Sequence, residues 1–250
     1  MPKQKMRSSW GSSKQIEMVN LSGPERERYV QAMFGRIASR YDLMNRLMTA
    51  GQDVRWRREV IRRSQLPPGG GLLDLGAGTG DLAREARRQV PGSWVVAADF
   101  TMEMMQVGRE RSPSAQLDWL AADARVLPFT DNHFDAIVSG FLLRNVIDIP
   151  QCLREQHRIL KPGGFMVVLD TTKPPQNSLQ PLVNYYLYSI IPALGRIIAG
   201  DGEAYTYLPE TTGSFLKAEQ LAEMMVLAGF QQVSFHRLML GTIAIHWGRK

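Results

Sequence analysis

Short apolar runs, punctuated by glycine, proline or a closing acid, alternate with amphipathic stretches through most of this chain. Residues 72–75, 93–98, 134–139 and 165–169 contain no proline and show almost no polar alternation. That is the pattern of strands covered on both faces in a parallel sheet. A shorter run at 116–120 predicts another strand. Between these runs the period changes: the stretch from residue 81, then 102–111 and 149–160, have the composition and spacing of helices that pack on a sheet. Strands alternating with helices predict an α/β fold with an open, largely parallel sheet.

The flanks follow other patterns. Pro24, with Glu25 and Glu27 beside it, opens a helix, because proline fits the first turn and acids favour the positive end of the helix dipole. Val30, Phe34, Ile37 and Tyr41 then share one face, which predicts one helix carrying Tyr41 and Asp42 at its end. That helix is either simply docked or a lid over a neighbouring loop. A second helix is expected at 54–63, with Trp56 and Val60 inward and Arg55, Arg58, Arg62 and Arg63 mostly outward. The Lys-Pro-Gly-Gly of residues 161–164 predicts a sharp return from helix to strand. Residues 171–210 leave the alternating pattern and include Tyr185, Tyr186 and Tyr188 in an apolar segment with few charges. It is either core or a greasy pocket wall or interfacial patch. A helix at 217–228, with Leu221, Met224, Met225 and Ala228 inside, precedes strands at 231–235 and 242–247, expected as an antiparallel edge pair.

Composition narrows the class. The 250 residues, 44% hydrophobic and 22% charged, suit a soluble globular protein. One domain is expected over 23–250, after a basic, Ser-containing tail at 1–22 that reads as disordered, either an ordinary tail or a targeting segment. No apolar run reaches the ~20 residues of a spanning helix. Cys152 is the only cysteine, which excludes an intramolecular disulfide and a thiolate zinc cluster. His133, His157, His236 and His246 are too scattered for a helical metal site, so no metal is expected. A reducing, cytoplasmic location fits. The net charge of +6 permits attraction to anionic surfaces, but no RNA-recognition or zinc-finger motif accompanies it, and no nucleic-acid partner is expected.

The chemistry gathers where strands end. Gly76, Gly78 and Gly80 fall at a strand-to-helix switch, where nucleotide-like ligands bind in open α/β sheets. Asp99 closes the next strand at the position of an acid that accepts from ribose hydroxyls. Asp123-Ala124 follows the third strand, suited to a purine edge: carboxylate to exocyclic amine and backbone N–H to ring nitrogen. Arg144 and Asn145 lie just past the fourth.

The order strand–glycine loop–helix, strand–Asp99, strand–Asp123-Ala124, strand, helix–Lys161-Pro162-Gly163-Gly164–strand resembles the seven-stranded S-adenosylmethionine-dependent methyltransferases. The G-x-G-x-x-G loop typical of nicotinamide dehydrogenases is not what stands here. Four stretches are similar to the menaquinone/ubiquinone biosynthesis C-methyltransferase family: Phe34-Gly35-Arg36-Ile37-Ala38-Ser39-Arg40-Tyr41-Asp42-Leu43-Met44-Asn45, Leu143-Arg144-Asn145-Val146, Tyr205-Thr206-Tyr207-Leu208 and Ala244-Ile245-His246-Trp247-Gly248-Arg249-Lys250. There are departures. Asp53-Val54 replaces the usual His-Arg, Leu142 the usual glycine, and Asp170-Thr171-Thr172-Lys173-Pro174 the usual Glu-Phe-Ser-Lys-Pro. They bear on the identity of the quinone.

The resemblance implies a seven-stranded Rossmann-like sheet with N-terminal lid helices and a substrate-side insertion at 171–210. It implies S-adenosyl-L-methionine as cofactor, held by Asp74, Gly76, Gly78, Thr79, Asp99, Phe100, Asp123, Ala124 and Gly140. The acceptor is expected to be a prenylated quinol, demethylmenaquinol becoming menaquinol. Catalysis is expected from Arg144, Asn145, Tyr41 and Asp148, with Asp42 assisting and His246 a weaker candidate as proton acceptor. Arg144 either steadies a phenolate or merely braces its loop against a carboxylate. Peripheral contact with the inner face of a membrane, and a homodimer, are further expectations. Two alternatives stand beside this reading: a methyltransferase of the same fold acting on another small aromatic or lipid acceptor, and a non-catalytic cofactor-binding scaffold.

Overall fold

The computed structural model describes residues 23–113, 116–175, 180–194 and 215–250. The expectations for the 1–22 tail, for part of the 171–210 insertion and for the Tyr205-Thr206-Tyr207-Leu208 motif lie outside the described residues.

Three helices come first: α1 (Gly23–Ile37), α2 (Tyr41–Met48) and α3 (Asp53–Ser64). Strands and helices then alternate as β1 (Gly71–Leu75), α4 (Asp81–Gln89), β2 (Trp94–Asp99), α5 (Met102–Arg111), β3 (Asp118–Ala121), β4 (Phe134–Gly140), α6 (Ile149–Ile159) and β5 (Leu160–Thr171). Two short helical pieces, α7 (Gln180–Tyr185) and α8 (Ile191–Leu194), are joined by a π-helical stretch, Tyr186–Ile190. The chain continues through α9 (Ala218–Leu227), β6 (Gln231–Leu238) and β7 (Ile243–Arg249).

The seven strands form one sheet in the order β3-β2-β1-β4-β5-β7-β6. Pairings among β1 to β5 are parallel, whereas β7 is antiparallel to both β5 and β6, the expected edge pair. The chain winds outward from β1 to β3 and returns to the other side of β1 with β4. That reversal opens a crevice beyond the carboxyl ends of β1 and β4.

Strand alternation divides the core into two layers. Leu73, Leu75, Ile137 and Met166 point to one face, under α6 and α9. Leu72, Val95, Val138 and Val167 point to the other, where Trp56 and Val60 of α3 and Leu82 of α4 cover them. A third apolar cluster joins Met33 and Ile37 of α1, Met44 and Met48 of α2, and Val183, Leu187 and Ile191 of the later insertion.

That third cluster explains why the helix expected to run through Tyr41 is two helices. The chain turns at 38–40, where the Arg40 N–H donates to the Ile37 carbonyl at 2.9 Å. A straight helix would have carried Met44 and Met48 away from Met33; the corner buries both pairs together. Phe34 and Tyr41 meet edge to face across it at 5.7 Å.

The expected return at 161–164 is present as a wide bulge inside β5: Leu160 pairs with Phe134 and Phe165 with Ala136, so Lys161-Pro162-Gly163-Gly164 loops out opposite Asp135, with Gly163 at φ +84°. Here the backbone already has partners: the Gly163 N–H donates to the Lys250 carbonyl at 2.7 Å, and the Lys250 N–H to the Gly164 carbonyl at 3.0 Å. β3 starts two residues later than expected, after Gln116 in a left-handed conformation at φ 49°.

Candidate active site

β1 delivers the first acid. Asp74 is 1% exposed, and its Oδ2 accepts from the Ala83 N–H of α4 at 2.9 Å. Its Oδ1 has no partner among the described residues. Burial pushes its carboxyl up to about 7, a shift that the Ala83 N–H opposes and the nearby Asp99 and Asp81 charges reinforce.

The glycine loop then passes close to its neighbours. Gly76 stands at φ +68°, and a Cβ there would come within 2.8 Å of the Leu142 side chain. Only glycine fits both demands. The Gly78 N–H donates to Asp99 Oδ2 at 2.7 Å, and the Thr101 N–H donates to Oδ1 of the same carboxylate at 2.7 Å. β2 thus ends on an acid that braces the loop beside it. Burial raises the Asp99 carboxyl above its ordinary range. The Thr101 hydroxyl and the Phe100 N–H also favour its ionised form.

These residues line a cleft of about 170 Å³, and all nine cofactor residues expected from the sequence are in its lining: Asp74, Gly76, Gly78, Thr79, Asp99, Phe100, Asp123, Ala124 and Gly140. Tyr41, Asp42 and Asn145 line it as well, so α2 does lie over the glycine loop. The Thr79 hydroxyl donates to Asp42 Oδ1 at 2.8 Å, and Arg111 of α5 pairs with the same carboxylate. One α2 side chain therefore ties the helix to both the glycine loop and α5.

Asp123 carries a partner that the sequence did not suggest. Arg125 grips it through Nε and Nη2, the latter at 2.7 Å, and holds its carboxyl below the usual range. The α3–α4 contact is likewise ionic: Arg57 bridges Asp53 at 2.5 Å and Asp81 at 3.0 Å. The other α3 arginines are mostly outward as expected, but Arg63 stacks on Trp247 at 3.5 Å from the ring centroid.

The candidate catalytic residues divide. Asn145 faces the cleft, with its Nδ2 donating to the Phe141 carbonyl at 3.2 Å. Asp148 is exposed and caps α6 by accepting from the Gln151 N–H at 2.9 Å; it lies outside the linings of both cavities described here. His246 is buried in the sheet with Nε2 2.9 Å from the Ala218 carbonyl, and burial lowers it to about 4. It too is outside both linings.

Arg144 lines a second cavity, of about 70 Å³, together with Asn45, Met48, Phe141, Thr171, Tyr186, Leu187, Ile191 and Met239 among others. Asn45 and Phe141 belong to both cavities. The Arg144 side chain is 3% exposed and pairs with Asp170 at 3.2 Å, and its own backbone N–H also points to that carboxylate at 3.4 Å. This is the brace the sequence left open as an alternative. It does not use up the guanidinium, since Nε is buried with no partner among the described residues. Asp170, noted in the sequence only as a departure, is the site residue that the pattern alone missed. Its sole signal was an acid at the end of a strand that enters the same crevice.

An acid-rich cleft at the topological switch point, overlain by α2 and sharing Asn45 and Phe141 with a smaller apolar cavity, sits in a seven-stranded Rossmann-like sheet. Solved structures agree on the fold. The [4+2]-cyclase SpnF superposes with a TM-score of 0.64 at 20% identity, covering 88% of this chain and 94% of that one. A SAM-dependent methyltransferase from Aquifex aeolicus gives 0.54 at 18% identity, covering 77% and 88%. The family model for the ubiE/COQ5 methyltransferase family matches residues 23–250, and the chain belongs to that family. It is similar to the ubiquinone/menaquinone biosynthesis C-methyltransferase UbiE of Desulfotalea psychrophila, 48% identical over 94% of each chain. It is also similar to the demethylmenaquinone methyltransferase of Roseiflexus castenholzii, 40% identical over 90% of this chain and 95% of that one.

Proposed function

We propose that this chain methylates a ring carbon of a prenylated hydroquinone in quinone biosynthesis, using S-adenosyl-L-methionine, with demethylmenaquinol as the acceptor that becomes menaquinol. One observation carries the reading: the acidic cleft and the apolar cavity share a wall made of Asn45 and Phe141. A donor and an aromatic acceptor held in the two cavities are neighbours, as direct transfer requires.

The cleft fits the cofactor by its donor set. Asp74 Oδ1 is an unmatched buried acceptor for an ammonium group, Asp99 lines the cleft where ribose hydroxyls would lie, and Asp123 with Ala124 faces the place of a base. When bound, the cofactor supplies an electrophilic methyl on sulfonium sulfur: transfer forms one carbon–carbon bond, breaks one sulfur–carbon bond and requires the ring to shed one proton.

The chain's own part is to make the ring carbon nucleophilic. A guanidinium is a cation and no base, and the unpaired Nε–H of Arg144 in a low-dielectric cavity stabilises a phenolate oxygen. That eases loss of the hydroxyl proton. Asn145 and Tyr41, on the cleft side, orient the hydroxyl or an ordered water.

The second cavity is walled by Tyr186, Leu187 and Ile191, a segment that offers the prenyl tail an apolar path. Leu182, Tyr185 and Tyr188 are exposed on the same segment, and Leu43 and Leu47 are exposed on α2, giving an apolar surface for peripheral contact with a bilayer at its inner, cytoplasmic face. No helix among the described residues is long and apolar enough to cross a membrane. The contact we propose is therefore superficial.

The test offers demethylmenaquinol and a demethoxy-ubiquinol-type acceptor together with labelled methyl donor, and reads the products by mass spectrometry. Label in menaquinol supports the proposal; label in neither product refutes it. Flotation with anionic liposomes checks the membrane contact, and protein left entirely in the dense fraction counts against it.

A further inference from the structure

We infer that Phe141 presents the acceptor ring to the donor and so decides which atom of that ring receives the methyl. The inference rests on the two-cavity reading above and deepens it.

Phe141 belongs to the walls of both cavities, so its side chain stands where a methyl group passes from one to the other. Its backbone is held in an unusual state. At φ +60° it occupies the left-handed region, which a bulky aromatic residue seldom adopts. Surrounding bonds impose that state: the Phe141 N–H donates to the Leu169 carbonyl at 2.7 Å, and the Phe141 carbonyl accepts from Asn145 Nδ2 at 3.2 Å. Strain of this kind persists only where neighbouring structure over-determines it, and it concentrates at functional sites. The ring also has a cation beside it in the same cavity wall: the Arg144 guanidinium carbon lies 5.0 Å from its centroid, within cation–π range. A fixed aromatic plane, steadied by the cation that meets the phenolate, is a platform on which a flat acceptor stacks in one orientation.

Orientation matters because a hydroquinone ionised at one hydroxyl has two nucleophilic atoms two bonds apart, the oxygen and the ortho ring carbon. In either outcome the sulfur–methyl bond breaks, its electron pair stays on sulfur to leave a neutral thioether, and the hydroquinone gives up one proton to water and supplies the pair for the new bond from its carbon or its oxygen. Attack by carbon gives the C-methyl product. Attack by oxygen gives an aryl methyl ether of the same mass. Holding the ring carbon in line, and the oxygen out of line, is the task assigned to Phe141.

The test compares wild type, Phe141→Leu and Phe141→Tyr with isotope-labelled methyl donor and hydroquinone acceptor, separating the isomers by chromatography and assigning them by NMR. Calorimetry of cofactor binding reports the integrity of the donor cleft. For Phe141→Leu, cofactor affinity is expected to stay within about threefold, kcat to fall by about 100-fold with a smaller change in acceptor KM, and the ether to appear among the products. Phe141→Tyr keeps the plane and is expected to yield the C-methyl product alone, a result that does not depend on the leucine variant folding. Exclusive C-methylation by Phe141→Leu, a change in KM alone, or ether formation by a folded Phe141→Tyr would overturn the inference while leaving the proposed function in place. A wild type that methylates no hydroquinone would overturn both.

Discussion

Replacing Asp74 by Asn should stabilise the protein and weaken its hold on the cofactor. The carboxyl is buried, one oxygen is unmatched, and its pKa stands at about 7 against an ordinary 3.8. That rise corresponds to roughly 4 kcal/mol of preference for the neutral form. The sign follows from the direction: with the folded-state value raised, the group favours folding below about pH 4, and that contribution is lost as pH rises towards 7. Asparagine stays neutral throughout and can still accept from the Ala83 N–H. In urea unfolding at a series of pH values, Asp74→Asn should therefore gain on wild type by about 1.4 kcal/mol per pH unit between roughly 4 and 7, then hold a constant lead. Cofactor binding should go the other way. An ammonium beside Asp74 favours the carboxylate, so wild type should release close to one proton on binding at pH 6, measurable by calorimetry in buffers of different ionisation enthalpy. Equal cofactor affinity in both proteins with no proton released would refute this role for Asp74, and a stability gap that ignores pH would refute the account of its burial.

Arg144→Lys keeps a cation near Asp170, so the protein should fold and bind cofactor within about threefold of wild type by calorimetry, while methyl transfer falls by about 100-fold because the planar donor is lost. Arg144→Ala strands the Asp170 charge in the interior and should cost about 3–5 kcal/mol in chemical unfolding. Gly76→Ala places a methyl 2.8 Å from Leu142 at a positive φ, for a loss of about 1–3 kcal/mol in thermal or urea unfolding. Adding Leu142→Gly should restore only the steric part of that loss.

What the sequence showed plainly was local. Strand β1, its glycine loop and Asp99 lie within one βα unit and the strand that follows, and run length and spacing were enough to bring them to one crevice. Asp123 and Ala124 follow from the same logic one strand further on. What stayed hidden depends on contacts between distant parts of the chain. The break between α1 and α2 comes from burying Met44 and Met48 against Val183 and Leu187, which no helical period encodes. The Arg144–Asp170 pair joins residues 26 apart, and the second cavity draws on α2, β5 and the insertion together. Asp148 shows a role that is local again: an acid two residues before Pro150 suits a helix cap, and it accepts from the Gln151 N–H there.

Helix α2 has a thermodynamic consequence as well as a structural one. Its Tyr41 and Asp42 line the larger cleft, its Met48 lines the smaller cavity, and its Asn45 lines both, which we propose hold donor and acceptor respectively. Because Asp42 also binds Thr79 and Arg111, any shift of the helix changes both walls at once. To the extent that filling the first cavity biases the position of α2, the affinity of the second changes by some factor, and linkage requires the reverse effect to equal it. A single eight-residue helix thus supplies a physical route by which the order of substrate arrival and product departure is written into the apparent affinities of the two ligands.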